Sequence, residues 1–226
     1  MQSSLSAGTN RSYDLTAALL VYGSEIATLH QPVLDNGRLT LGEGTLLTED
    51  ALRDIIRTVQ PNPALEIFPE SLLYRDAATT AWFTRAMTRR MWFSTIPALN
   101  GQTFHQPSCV WAVRSDRLFV RALSSRRRPT LNASLLVGPY WNVDGQQGLV
   151  CTGSMTRPAT TTTATLGAWI DGFFNSSFTH ANPGFHWRKG ITFEGMWKLA
   201  QDKPFPTHWL APANQTLHCW LQDIVR

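Results

Sequence analysis

Cysteine is scarce in this chain. Three occur in 226 residues, at positions 109, 151 and 219, widely spaced and odd in number. No CxxC pair is present, which argues against a disulfide-stapled scaffold and fits a reducing compartment. Charge is thin as well, at 16% of residues against 43% hydrophobic, a balance that excludes global disorder and allows a sizeable core. Long apolar runs are missing. The longest near the start, Ala17-Ala18-Leu19-Leu20-Val21-Tyr22, is far short of the roughly 20 residues a spanning helix needs. The opening MQSSLSAGTNRS lacks the charged-then-apolar build of a signal peptide. A soluble, cytoplasmic protein with no membrane segment is expected. There is no internal repeat, and no helix-turn-helix, zinc-finger or aromatic–glycine RNA-binding signature, so nucleic acid is not the expected partner. His208 and His218-Cys219 have no metal-ligand spacing, and neither metal nor cofactor is expected.

Aromatic rings are plentiful, with nine tryptophans, which suggests a packed domain with half-buried surfaces. The net charge is +4, and much of it sits at Arg85/Arg89/Arg90 and at Arg126-Arg127-Arg128. These are either solvated surfaces or docking patches for an acidic partner.

Residues 1–12 are polar and small and are expected to form a mobile tail; residues 13–226 are read as one domain, in which 13–80 form an N-terminal extension or docking subdomain. Strand signals cover 15–22, with a turn at Gly23-Ser24. Asn36-Gly37 marks a hairpin near 26–41. Thr48 caps a helix whose stripe is Leu52, Ile55, Ile56 and Val59, ended by Pro61 and Pro63. Residues 64–80 read as an irregular connection, and a strand is expected over 89–95. A second hairpin pairs 109–113 with 118–123 around Ser115-Asp116-Arg117. A strand over 133–137 leads to a loop, NVDGQQGLVCTGS, and to the brief extended Leu149-Val150-Cys151. After a threonine tract at 160–163 comes a helix with Leu166, Trp169, Ile170, Phe173 and Phe174 on one face. The final helix falls at 192–201, capped by Thr192. The order implies an α+β fold, with helices on one face or end of an antiparallel sheet.

Cys151 is the residue with chemistry around it. A nucleophilic thiol needs exposure, room for an acyl group and a donor for the oxyanion formed on attack. A loop supplies exposure, Gly145, Gly148 and Gly153 supply clearance, and Asn142 brings an amide. Asp144 is either a turn residue or a steering charge for an incoming lysine. His180 is either a capping or core histidine, or a base or orienter near Cys151. Cys109, inside a strand, reads as core.

The segment Pro139-Tyr140-Trp141-Asn142-Val143-Asp144, followed by Gly148-Leu149-Val150-Cys151, resembles the active-site segment of ubiquitin-conjugating enzymes. There a His-Pro-Asn triplet and an aliphatic residue lead through a glycine-bearing turn to the catalytic cysteine. Here Tyr140-Trp141 replace His-Pro, and the loop is one residue longer. A wider resemblance rests on Ala18-Leu19-Leu20-Val21-Tyr22, Ala27-Thr28-Leu29-His30, the cysteine loop, and Trp169 through Phe173-Phe174-Asn175-Ser176-Ser177-Phe178-Thr179-His180. On these the chain is similar to the PRTRC system protein B family, a bacterial ubiquitin-conjugating-enzyme-like group. The resemblance implies a four-stranded antiparallel meander with flanking helices and an N-terminal elaboration. It implies a catalytic Cys151 with Asn142 and His180, substrate-binding residues at Asp144, Gly148 and Thr152, and partner docking through Arg126, Arg127 and Arg128. The implied partners are a ubiquitin-like protein, a ThiF-type adenylating enzyme and a JAB-type metallopeptidase of the same system. Two other readings stay open. One is a cysteine peptidase or acyltransferase using His180, His186 or His208. The other is a non-catalytic interaction module of a plasmid-associated system.

Overall fold

The computed structural model describes residues 5–6, 12–13, 15–23, 26–59 and 66–226. Most of the expected tail, Ser24 of the expected turn, and the helix-ending Pro61 and Pro63 lie outside the described residues. The chain divides into two compact units, Met1–Leu65 and Glu66–Arg226.

In the first unit a short pair, Leu5–Ser6 (β1) and Ser12–Tyr13 (β2), precedes a three-stranded antiparallel sheet of Ala18–Tyr22 (β3), Ile26–Asp35 (β4) and Arg38–Leu46 (β5). The β4–β5 hairpin turns at Asn36-Gly37 with φ of 49° and 77°. Positive φ at both turn residues matches the twist of the strands, which is why Asn-Gly marks the hairpin. Helix Glu49–Val59 (α1) follows, and the Ala51 N–H donates to the capping Thr48 Oγ1 at 3.2 Å.

The second unit holds a six-stranded antiparallel sheet. Its strands are Leu72–Arg75 (β6), Thr79–Thr84 (β7), Ser108–Arg114 (β11), Arg117–Leu123 (β12), Ser134–Leu136 (β13) and Pro212–Thr216 (β15), hydrogen-bonded in that order. The expected meander of four strands is thus corrected to six, and the connection expected over 64–80 contains β6 and the start of β7. The reason lies in β7: all but the last of its residues, Thr79 to Phe83, are buried, so it lacks the alternation that betrays a strand with one wet face. At the opposite edge β15 carries a proline and an asparagine, tolerated where one side of the ladder is unpaired.

Between β7 and β11 the chain inserts Thr88–Arg90 (β8), Trp92–Phe93 (β9) and Thr103–His105 (β10). β8 pairs with β10, and β9 pairs in parallel with Ser177–Phe178 (β14). The single strand expected over 89–95 is broken at Met91, whose N–H and carbonyl bond Gln102 and Gly101 instead.

Side chains alternate across β11. Cys109, Trp111 and Val113 face a large cluster with helices Leu166–Phe174 (α2) and Phe193–Asp202 (α3). Val110 and Ala112 face a second cluster with helix Leu217–Val225 (α4). The helix expected at 192–201 is not the last: α4 follows it, and helices therefore cover both faces of the sheet. The first cluster buries Trp82, Trp111, Trp169, Trp197, Tyr140 and Phe173 almost completely. Each such ring removes about 150–250 Å² from water, about 4–6 kcal/mol at ~25 cal/mol per Å². Among the described residues no helix is long and apolar enough to cross a membrane.

Candidate active site

The chain reaches the site through two rings. Tyr140 is fully buried among Phe173, Phe174, Phe178 and Trp197, and its hydroxyl donates to Gln106 Oε1 at 3.2 Å. Trp141 stacks on Phe193, with centroids 4.6 Å apart and 14° between planes. These two packed aromatics hold the chain entering Asn142.

Asn142 is buried, and both ends of its amide are engaged. Nδ2 donates to the Ser177 carbonyl at 2.8 Å, and Oδ1 accepts the Thr179 N–H at 3.5 Å. Val143 and Val150 form an antiparallel bridge. On either side of it the Asp144 N–H donates to Leu149 O at 2.9 Å and the Cys151 N–H to Asn142 O at 2.7 Å. This register sets Cys151 directly opposite Asn142. Residues opposed in an antiparallel pair share a face, with Cβ atoms about 4.5–5.5 Å apart. The Cys151 thiol is free and exposed.

The loop between them is held from inside and from below. Asp144 Oδ1 accepts the N–H groups of Gln146 and Gln147 at 2.8 and 2.7 Å, and its Oδ2 accepts that of Leu149 at 2.8 Å. Three successive carbonyls are taken by side chains from the sheet and from α4. Arg121, on β12, donates from Nη1 to Gly145 O at 3.0 Å and from Nη2 to Gln146 O. Trp220, on α4, donates from Nε1 to Gln147 O at 2.8 Å. β12 adds backbone bonds of 2.8 Å from Val120 N–H to Gly148 O and from Val150 N–H to Leu118 O. Two glycines permit this closeness: a Cβ on Gly148 would lie 2.4 Å from Val120 O, and one on Gly145 would collide with Gly184 O.

Arg121 has no exposed surface. Burial pushes its guanidinium down to about 10, an effect opposed by the nearby Asp144 charge, so it remains a cation at neutral pH.

Beyond the thiol, Thr152 O accepts the Met155 N–H at 2.6 Å, which closes a turn. Ser154 Oγ accepts the Ser177 N–H at 3.0 Å. Segment 177–180 therefore lies along both Asn142 and Ser154. His180 ends it, exposed, with Nδ1 2.8 Å from Thr179 Oγ1. The structure thus gathers Asn142, Cys151, Thr152 and the His180 segment, and places Asp144 and Gly148 within the loop frame. Arg126, Arg127 and Arg128 are exposed beyond the far end of β12, where Arg128 donates to Leu72 O at 2.7 Å. Of the other thiols, Cys219 is exposed on α4. Cys109 is buried beside the Tyr140 hydroxyl, and desolvation pushes its thiol up to about 12.

Sequence reasoning misses Arg121, Ser154 and Trp220. For Arg121 the signal is a lone charge within the apolar run Leu118-Phe119-Val120-Arg121-Ala122-Leu123. Among the described residues no group of three or more His, Cys, Asp or Glu side chains is arranged to hold a metal ion.

The profile of prokaryotic E2 family D matches residues 50–213, well over half of the chain. The chain belongs to prokaryotic E2 family D. No curated protein and no solved structure matches it. Membership in prokaryotic E2 family D agrees with the resemblance to PRTRC system protein B and ties the chain to ubiquitin-like conjugation. The match to family D contains Arg121, Asn142, Cys151 and His180 and stops short of α4.

Proposed function

We propose that the chain is a conjugating enzyme that carries an activated ubiquitin-like protein on Cys151. The Cys151 thiolate attacks the thioester carbonyl of a ubiquitin-like protein held on the adenylating enzyme's cysteine. That cysteine leaves as a thiolate, and a new thioester joins the cargo to Cys151. A target amine then attacks this thioester, loses a proton to form the amide, and releases the Cys151 thiolate. ATP is consumed by the partner, so the steps on this chain rest on positioning and oxyanion stabilisation.

The observation that carries the reading is the register of Asn142 against Cys151 in a chain of this family. The exposed thiol receives the acyl group, and the amide opposite it offers a neutral donor for the oxyanion. Its Nδ2 carries a second hydrogen beyond the one bonded to Ser177 O. Thr152 and the Gly148 side of the loop border the path of the extended cargo tail, and His180 orients the incoming amine. Unit 66–226 holds this machinery, while the N-terminal unit and Arg126–Arg128 serve partner docking. A peptidase reading has less support, because Cys151 is followed by a turn instead of opening a helix.

The test is to mix the chain with an adenylating enzyme and ubiquitin-like protein of its own system and ATP, and to resolve the products without reductant. An adduct cleaved by thiols and lost in Cys151→Ala is expected; an adduct that survives that substitution overturns the reading.

A further inference from the structure

On the α4 side of the sheet, under the tip of the β11–β12 hairpin, lies a cleft of about 320 Å³. The charged side chains in its lining are Arg114, Arg117, Arg226 and Asp223. None of the three arginines has an ion-pair partner within 4.0 Å among the described residues. Arg114 donates to the Ile224 carbonyl, Arg117 lies 5.6 Å over the Phe119 ring, and Asp223 accepts from Gln215 at 3.1 Å. Unpaired guanidinium groups around one concavity repel each other, and an anion that enters it relieves that repulsion. The cleft's apolar lining is Phe119, Trp220 and Ile224.

We infer that this cleft docks an acidic peptide segment of a protein partner. Charge complementarity between the three arginines and the segment's carboxylates selects it. Nucleic acid fits poorly. Base stacking needs an open ring face, whereas Trp220 and Phe119 are 1% and 6% exposed. The cleft also touches the site: Gln147 is one of its walls, and the Gln147 carbonyl is the one that Trp220 holds. An occupant therefore rests against the back of the loop that ends in Cys151. That consequence rests on the conjugating reading; the binding itself does not.

The experiment titrates the full chain into a fluorescein-labelled octapeptide of alternating glutamate and leucine, followed by anisotropy at low and high salt. Saturable, salt-weakened binding is expected, reduced at least about tenfold by Arg117→Glu with Arg226→Glu and unchanged by Lys203→Glu at the end of α3, on the opposite face of the sheet. In the unaltered protein, bound peptide should also slow amide exchange at 145–149 and 217–225. The inference is overturned by an absence of saturable binding, by equal loss in Lys203→Glu, or by exchange slowed only near 124–128. It is overturned too if inorganic phosphate or a single-stranded oligonucleotide competes as well as the unlabelled peptide. Peptide binding without a Cys151 adduct would keep the cleft and remove the conjugating reading; an adduct without peptide binding would do the reverse.

Discussion

At the scale of single residues, Arg121 and Cys109 show how burial assigns a side chain its task. Arg121 donates its two terminal nitrogens to loop carbonyls, with no carboxylate in direct contact. Arg121→Met keeps most of the volume, removes a buried charge and leaves two carbonyls unpaired. The gain and the loss largely offset each other in stability, a net cost of about 1–3 kcal/mol by thermal denaturation. Cys151 charging should fall at least about tenfold at a temperature where the variant is fully folded, because the loss is one of positioning. Arg121→Lys keeps the charge without the planar fork and should fall between the two. For Cys109 the sign follows from its thiol lying above the ordinary value of 9.0, at about 12. Between those limits the unfolded chain releases a proton that the folded chain retains, so stability is full below pH 9.0 and declines as pH rises toward 12. Thermal midpoints measured across that window should fall less steeply in Cys109→Val. At neutral pH an alkylating probe should label Cys151 and Cys219 in the native protein and reach Cys109 only after denaturation.

At the scale of elements, the loop 144–149 is a unit built around Asp144. Asp144→Ala deprives the N–H groups of Gln146, Gln147 and Leu149 of their acceptor. A cost of about 1–3 kcal/mol is expected, with faster amide exchange confined to those three positions; exchange spread over the sheet would contradict the role. This part of the site is half legible in the sequence. The order Asn142, glycine, Cys151 can be read along one strand of text, and the stripe of α2, the Thr192 cap of α3 and the two hairpin turns announce themselves locally. Arg121 and Trp220 meet the loop only after the chain has travelled 24 and 73 residues, and no local pattern encodes such a meeting. β7 is hidden for a different reason: burial on both faces erases its alternation. In α4 the stripe Leu217, Trp220, Leu221 and Ile224 is legible, but a polar edge strand runs straight into its Thr216 cap and masks the start.

At the scale of the molecule, the two core clusters of the second unit draw their buried members, among the described residues, from residues 81–224. A fragment of residues 66–226 should therefore unfold cooperatively and keep a thiol at Cys151 that reacts as in the full chain. Loss of the sharp transition in calorimetry would mean that the second core is incomplete without the first unit. The family match begins at residue 50, inside α1, and so runs across the division between the units. Comparing charging of the fragment with that of the full chain separates what the second unit does alone from what the first unit adds.

The bonds that restrain the loop from below end on main-chain oxygens of residues 145, 146 and 147. A carbonyl is the same whatever side chain stands beside it, and Gln146 and Gln147 are both exposed. The scaffold therefore holds the turn without reading the side chains of residues 146 and 147. A library at 146 and 147 holding every residue except proline, which would remove the N–H groups that Asp144 accepts, should fold throughout and keep the frame that presents Cys151.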